Sequence, residues 1–88
     1  MPMINRRDHP VGWALLLYEL SDAHEHLGKL LQTMEADSEY SEPELRGELG
    51  HVLAHLHRAW HRRDFAEDIT EAQWQQFRGA PNDLEPLA

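Results

Sequence analysis

The sequence predicts an all-α protein, built as an antiparallel helical hairpin followed by a short C-terminal helix. Leucine occurs 13 times, whereas Val, Ile and Thr together occur six times, and this bias favours helix over strand. The five prolines stand at 2, 10, 43, 81 and 86, so residues 11–42 and 44–80 contain no helix breaker. We therefore expect a single domain, residues 1–88, with two long helices.

The first helix is predicted over residues 9–35, with Pro10 in its first turn. Its apolar residues recur at helical spacing, which predicts one stripe facing the rest of a bundle. The stripe comprises Trp13, Leu17, Leu20, Leu27, Leu31 and Met34, with His24 in the gap and Leu16, Ala23 and Leu30 beside it.

The second helix is predicted over residues 42–63, after a loop at 36–41. Ser41 and Glu44 have the spacing of a capping box, and Pro43 suits the first turn. The apolar positions again form one stripe, of Leu45, Leu49, Val52, Leu53, Leu56, Ala59 and Trp60.

A short third helix is predicted over residues 71–78, because Thr70 and Gln73 form a second capping-box pattern. Gly79 and Pro81 end it, and the tail 79–88 should be extended. Two amphipathic helices cannot enclose their stripes alone. We therefore expect a homodimer in which two hairpins form a four-helix bundle.

The charge balance narrows the class of partner. Eight basic residues against 16 acidic ones give a formal charge of −8, which makes nucleic acid or an anionic membrane an unfavourable partner. The chain has no cysteine and no run of apolar residues near the length of a membrane span. A cytoplasmic protein with a protein partner or a second copy is the expectation.

Seven histidines and several carboxylates offer ligands for a metal ion. Helical geometry and a short loop place the flank of Glu19, Asp22 and His26 beside that of His51 and His55. Histidines at i and i+4, completed by carboxylates from a facing helix, suit zinc, manganese, iron or nickel. The predicted metal residues are Glu19, Asp22, His26, Glu48, His51 and His55.

Other interpretations of these flanks remain open. Glu19 and Asp22 would pair with Arg58 and Arg62 on a solvated surface, where ion pairs contribute about 0–1 kcal/mol. His24 would instead meet His57 and act as a pH switch.

The segment Glu48-Leu49-Gly50-His51-Val52-Leu53 resembles the second metal-binding helix of MazG-like nucleoside triphosphate pyrophosphohydrolases. The segment from Glu19 to Glu25 is similar to the first helix of that family. The resemblance implies an all-α oligomer that uses Mg²⁺ to release pyrophosphate from nucleotides. Its acidic positions would fall on Glu19, Asp22, Glu48 and His51, with His51 replacing an expected Asp. An imidazole there disfavours Mg²⁺ and favours a softer ion.

These observations favour a homo-oligomeric interaction or regulatory module, with no catalytic residue assigned. The alternatives are a metal-dependent pyrophosphohydrolase and a non-catalytic metal-binding protein. The candidate ions are Mn²⁺, Zn²⁺ and Mg²⁺.

Overall fold

The computed structural model describes residues 2–87, all of whose regular structure is helical. Helix α1 comprises Pro10–Ala36, α2 comprises Glu42–His61 and α3 comprises Glu71–Gln76. The all-α hairpin with a short third helix is thus confirmed, although α2 and α3 each end two residues earlier than predicted. The first and last residues of the predicted domain, Met1 and Ala88, lie outside the described residues. None of the described helices is long and apolar enough to cross a membrane.

The two predicted capping boxes differ in the structure. Thr70 accepts a hydrogen bond from the backbone N–H of Gln73, whose side chain accepts one from the backbone N–H of Thr70, so this box is complete. Ser41 is the N-cap of α2, but its hydroxyl donates to the Glu44 carboxylate and caps no backbone group. The prediction that Ser41 begins α2 is therefore confirmed, but the predicted capping-box hydrogen bonds are wrong.

The two long helices contact each other through a narrow row of small and medium side chains. This row joins Leu16, Ala23 and Leu30 of α1 to Val52 and Ala59 of α2, all of them 4–6% exposed. Glu19, His55, Arg58 and Arg62 are also buried. The alanines let the helices approach closely, and the polar residues need internal partners in exchange for lost water.

Val52 and Ala59 of the predicted α2 stripe lie in the hairpin interface, but Met34 and most of the stripe leucines do not. The latter residues lie roughly a quarter turn around each helix from the buried row and share one side of the hairpin. We call this surface the leucine face, and each of its side chains is 41–56% exposed. Its members are Leu17, Leu20, Leu27, Leu31 and Met34 of α1 and Leu49, Leu53 and Leu56 of α2.

The segment after α2 folds back across its C-terminal half. The guanidinium of Arg58 lies 3.6 Å from the ring centroid of Trp74 and donates from Nε to the carbonyl of that residue. His57 and His61 donate to the carbonyls of Arg78 and Gly79, at 2.8 and 2.9 Å. These bonds hold α3 and the start of the tail against α2.

The predicted surface ion pairs are wrong. Arg58 binds Trp74, and the buried guanidinium of Arg62 pairs with Asp68 at 3.3 Å. Glu19 pairs with His55 rather than with either arginine. Helical spacing could not predict Trp74 and Asp68 as partners of the two arginines, because α3 and the loop before it pack against α2 only in the folded chain.

The N-terminal half of α1 is held close to the loop before α3. The backbone N–H of Gly12 donates to the carbonyl of Ala66 at 2.9 Å. A Cβ at Gly12 would overlap the carbonyl oxygen of Phe65. Glycine at this position therefore permits the close approach.

Candidate metal centre

Three histidines from the two long helices meet on the side of the hairpin opposite the leucine face. His26 comes from α1, and His51 and His55 come from successive turns of α2. One ring nitrogen from each lies within 4.8 Å of the other two. The ring centroids are 4.1 Å apart for His26 and His51, 5.5 Å for His26 and His55, and 5.0 Å for His51 and His55. These residues form what we call the histidine cluster.

Helix geometry explains the arrangement. Residues four apart on α2 project from the same side one turn apart, which stacks His51 and His55. The five-residue stretch between α1 and α2 makes the helices antiparallel, which brings His26 level with this pair. The flank arrangement predicted from spacing is confirmed for these three residues and for Glu19.

Glu19 holds the histidine cluster through a buried hydrogen bond to His55. Its carboxylate Oε2 lies 3.0 Å from Nδ1 of His55, and both side chains are 10% exposed. The carboxylate accepts a hydrogen bond from Nδ1–H of His55, so in the neutral ring the free lone pair is on Nε2. A carboxylate that fixes a histidine in this way is the common support of a metal-binding imidazole.

The electrostatic surroundings favour a neutral His51. Partial desolvation of the largely exposed His51 lowers its pKa from the ordinary value. Positive charge on His26, His55 and Arg58 lowers the pKa further, against the opposing effect of Glu48. Neutral imidazole is the form that binds metal. The His51 ring therefore resists protonation beside the other two rings.

The donor set fits a borderline or soft divalent ion. Nitrogen ligands suit Zn²⁺, Co²⁺, Ni²⁺ or Cu²⁺, whereas Mg²⁺ and Ca²⁺ take oxygen. Tetrahedral zinc–imidazole bonds of about 2.0–2.1 Å place the nitrogens about 3.3 Å apart. Closing from a spread of up to 4.8 Å requires the ring nitrogens to move together by up to about 1.5 Å, and His51, which is exposed, is free to rotate.

A groove of about 560 Å³ opens beside the cluster towards the loop end of the hairpin. His26 and His51 border it, together with Lys29, Tyr40 and Glu48. The Tyr40 hydroxyl is buried without a hydrogen-bond partner. Desolvation raises the pKa of Tyr40, as do Glu48 and Glu44, so the hydroxyl stays protonated. Nothing in the sequence pattern singled out Tyr40, since its position depends on the loop.

Two predicted metal residues stand apart from the cluster. Asp22 is exposed and is not one of the grouped ligands, and Glu48 borders the groove without joining them. Glu19 reaches His55 as a hydrogen-bond partner. The structure thus brings His26, His51 and His55 together and places Glu19 behind them.

The other histidines have different surroundings. His24 is exposed on α1, and His57 is engaged by the carbonyl of Arg78. The interpretation of these two as a paired pH switch is not supported, because His57 binds the returning C-terminal segment.

The chain matches no protein-family model, and comparisons with curated proteins and with solved structures find no similar protein.

Proposed function

We propose that this protein is a small metal-binding module that holds one transition-metal ion between α1 and α2. The single observation that carries the proposal is the convergence of three ring nitrogens, from His26, His51 and His55, within 4.8 Å. Zn²⁺ is the first candidate because three imidazoles suit its tetrahedral preference and leave a fourth position for water or another ligand.

A solvated flank of histidines is the competing interpretation. Against it, His55 is buried, and its Nδ1 is committed to a carboxylate that is itself buried. Three imidazoles this close would repel one another if protonated, yet they come from two different helices and still converge. A shared cation removes this conflict because each ring then presents a lone pair to the ion.

The ion would join the helices in addition to the apolar row between them. The described chain buries only six hydrophobic residues, and none of its large side chains is fully buried. Small domains with so little core commonly depend on a metal, a disulfide or oligomerisation. Coordination from both helices would therefore stabilise the hairpin against unfolding.

The test is titration of protein free of any histidine tag with Zn²⁺, Co²⁺, Ni²⁺ and Mg²⁺ in separate experiments. We expect saturable binding of one Zn²⁺ per chain, with imidazole NMR shifts confined to His26, His51 and His55. His26→Ala should weaken binding at least tenfold, whereas His24→Ala, two residues earlier on the same helix, should leave affinity unchanged. Weak shifts spread over all seven histidines would overturn the proposal.

A second candidate function is a homodimeric protein-interaction module, and the exposed leucine face favours it. Eight large apolar side chains share one side of a two-helix hairpin, which is more than a monomer usually leaves in contact with water. A molar mass of twice 10.3 kDa in solution would support a homodimer, and a mass of 10.3 kDa at high concentration would exclude it. The same surface is suited to another helical protein, which would be the outcome if the chain is monomeric.

The resemblance to MazG-like enzymes leaves pyrophosphohydrolase activity as a third proposal. Its support is Glu48 at the edge of the groove beside the histidine cluster. Release of pyrophosphate from a nucleotide panel with Mg²⁺ or Mn²⁺, lost in Glu48→Gln, is the expected result. No turnover at high protein concentration would exclude it.

The cytoplasmic location of the protein likewise stays a prediction.

A further inference from the structure

We infer that the leucine face binds a second copy of this chain with the two α1 helices antiparallel, so that two hairpins form a four-helix bundle. The inference rests on the homodimer proposed above and adds the surface and the orientation. It is independent of the metal proposal, because the histidine cluster lies on the other side of the hairpin.

The spacing of the leucine face identifies its occupant as helical. On α1 the positions 13, 17, 20, 24, 27, 31 and 34 alternate at steps of four and three, and six of the seven are apolar. On α2 Leu49, Leu53, Leu56 and Trp60 repeat the same steps. A 4-3 repeat sustained over three heptads is the pattern of a helix that packs lengthwise against other helices.

A second copy supplies the matching surface. A two-fold axis brings the same two antiparallel rows, of equal length and spacing, over those of the first copy. None of the eight side chains of the face is ionisable although the chain carries 16 acidic residues, and His24 is the one titratable position in the α1 row. Along α1 the neighbouring positions Ala14, Ser21 and Gly28 are small, and a Cβ at Gly28 would touch nothing within 4 Å. This edge leaves room for a closely packed helix.

An apolar groove continues the face towards the tail. It has a volume of about 580 Å³ and lies between Leu53 and Leu56 of α2 and Leu84 and Leu87 of the tail. Leu84 is 48% exposed and Leu87 is 92% exposed, so neither is sheltered within one chain. A second copy seated on the face would cover this groove at its margin.

Charge decides the orientation. Residues 35–48 carry six acidic residues and one arginine, a net charge of −5 concentrated at the loop end of the hairpin. A parallel pair would place two such ends side by side. An antiparallel pair separates them and brings each one to the end of the other copy that carries Arg6 and Arg7, both exposed, of which Arg7 also pairs with Asp8 at 3.5 Å. Like charges repel and opposite charges attract across such an edge, so the antiparallel pair is favoured.

The first arm of the test compares two substitutions on α1. Leu20→Glu should raise the dimer dissociation constant about 100-fold, because two buried glutamates per dimer each weaken it about tenfold or more. Tyr18→Glu is the control, since Tyr18 is 66% exposed and points away from the leucine face. Sedimentation gives the constants, and circular dichroism with urea unfolding establishes that both variants remain folded.

The second arm uses the absence of cysteine from the chain. A single Cys at either end of α1, in Arg7→Cys or Glu39→Cys, should give no cross-linked dimer with a short bifunctional maleimide. The double variant Arg7→Cys/Glu39→Cys should cross-link between chains, because an antiparallel pair brings the two positions together.

The outcomes separate the proposals. A monomer at all concentrations overturns both the homodimer and this inference. A dimer that survives Leu20→Glu, or one in which Glu39→Cys alone cross-links, retains the homodimer and overturns the face or the orientation.

Discussion

The carboxylate of Glu19 and the imidazole of His55 lie 3.0 Å apart across the hairpin interface, each with a side chain only 10% exposed. This pair joins α1 to α2 in the middle of the buried row. It also holds the His55 ring next to the other two rings of the histidine cluster, whose centroids lie 5.5 and 5.0 Å away. One contact therefore serves both the packing of the hairpin and the candidate metal centre.

Glu19→Gln should weaken Zn²⁺ binding about 10–100-fold, the usual effect of losing a carboxylate behind a metal-binding histidine. The amide keeps the size of the side chain but donates as readily as it accepts, so it no longer specifies the His55 tautomer. Competition with a chromophoric chelator measures the affinity. Glu25→Gln is the control, because Glu25 is exposed and pairs with Lys29 at 3.2 Å. Equal affinities in the two variants would remove Glu19 from the centre.

Gly12→Ala should lower the free energy of unfolding by about 1–3 kcal/mol, the range for overpacking a tight site. The new methyl group would overlap backbone carbonyls of Phe65 and Ala66, which cannot move as a flexible side chain can. Gly50→Ala is the matched control on α2. Its Cβ meets nothing within 4 Å, and replacing a helical glycine should raise stability by about 1 kcal/mol. Urea unfolding of both variants gives the comparison, and a destabilised Gly50→Ala would contradict it.

The contact of the tail with α2 should weaken in acid. Trp60 donates from Nε1 to Asp83 at 2.8 Å. This hydrogen bond is the main cause that lowers the pKa of the Asp83 carboxyl, and the positive charge of Arg63 lowers it further. The folded state thus holds its proton less tightly than the unfolded chain. The stabilisation is present above the unfolded pKa of about 3.9 and is lost as pH falls through the lower folded value.

The Trp60 indole N–H resonance reports this titration. We expect it to shift with a midpoint below the ordinary range of aspartate. Asp83→Ala should remove the pH dependence, whereas Glu85→Gln, on the same exposed tail, should preserve it. A midpoint at or above pH 4 in the unchanged protein would contradict the assignment.

The two capping positions should respond differently to alanine. Thr70→Ala removes a side chain that accepts from the backbone N–H of Gln73, and such losses cost about 1 kcal/mol. Ser41→Ala removes a hydroxyl that binds only the Glu44 carboxylate, so its effect should be within about 0.5 kcal/mol. Amide hydrogen exchange at Gln73 and Glu44 measures each end locally. Equal losses of protection would show that the Ser41 hydroxyl caps α2 in solution.

The amino-acid sequence by itself determined the helices, because Pro10, Pro43, Gly79 and the apolar spacing act over a few neighbouring residues. It also determined that His51 and His55 share a side of α2, since residues four apart always do. The short loop also predicted that His26 lies level with this pair along the hairpin.

Only the tertiary structure decided which apolar row forms the hairpin. Two rows on α1 are both hydrophobic. The row with Ala23 is buried against α2, whereas the row with Leu20 stays exposed. The tertiary structure also decided that Glu19 pairs with His55 and that Arg58 packs on the ring of Trp74. Such choices depend on contacts between residues far apart in the chain, where packing and the pairing of buried polar groups outweigh any local preference.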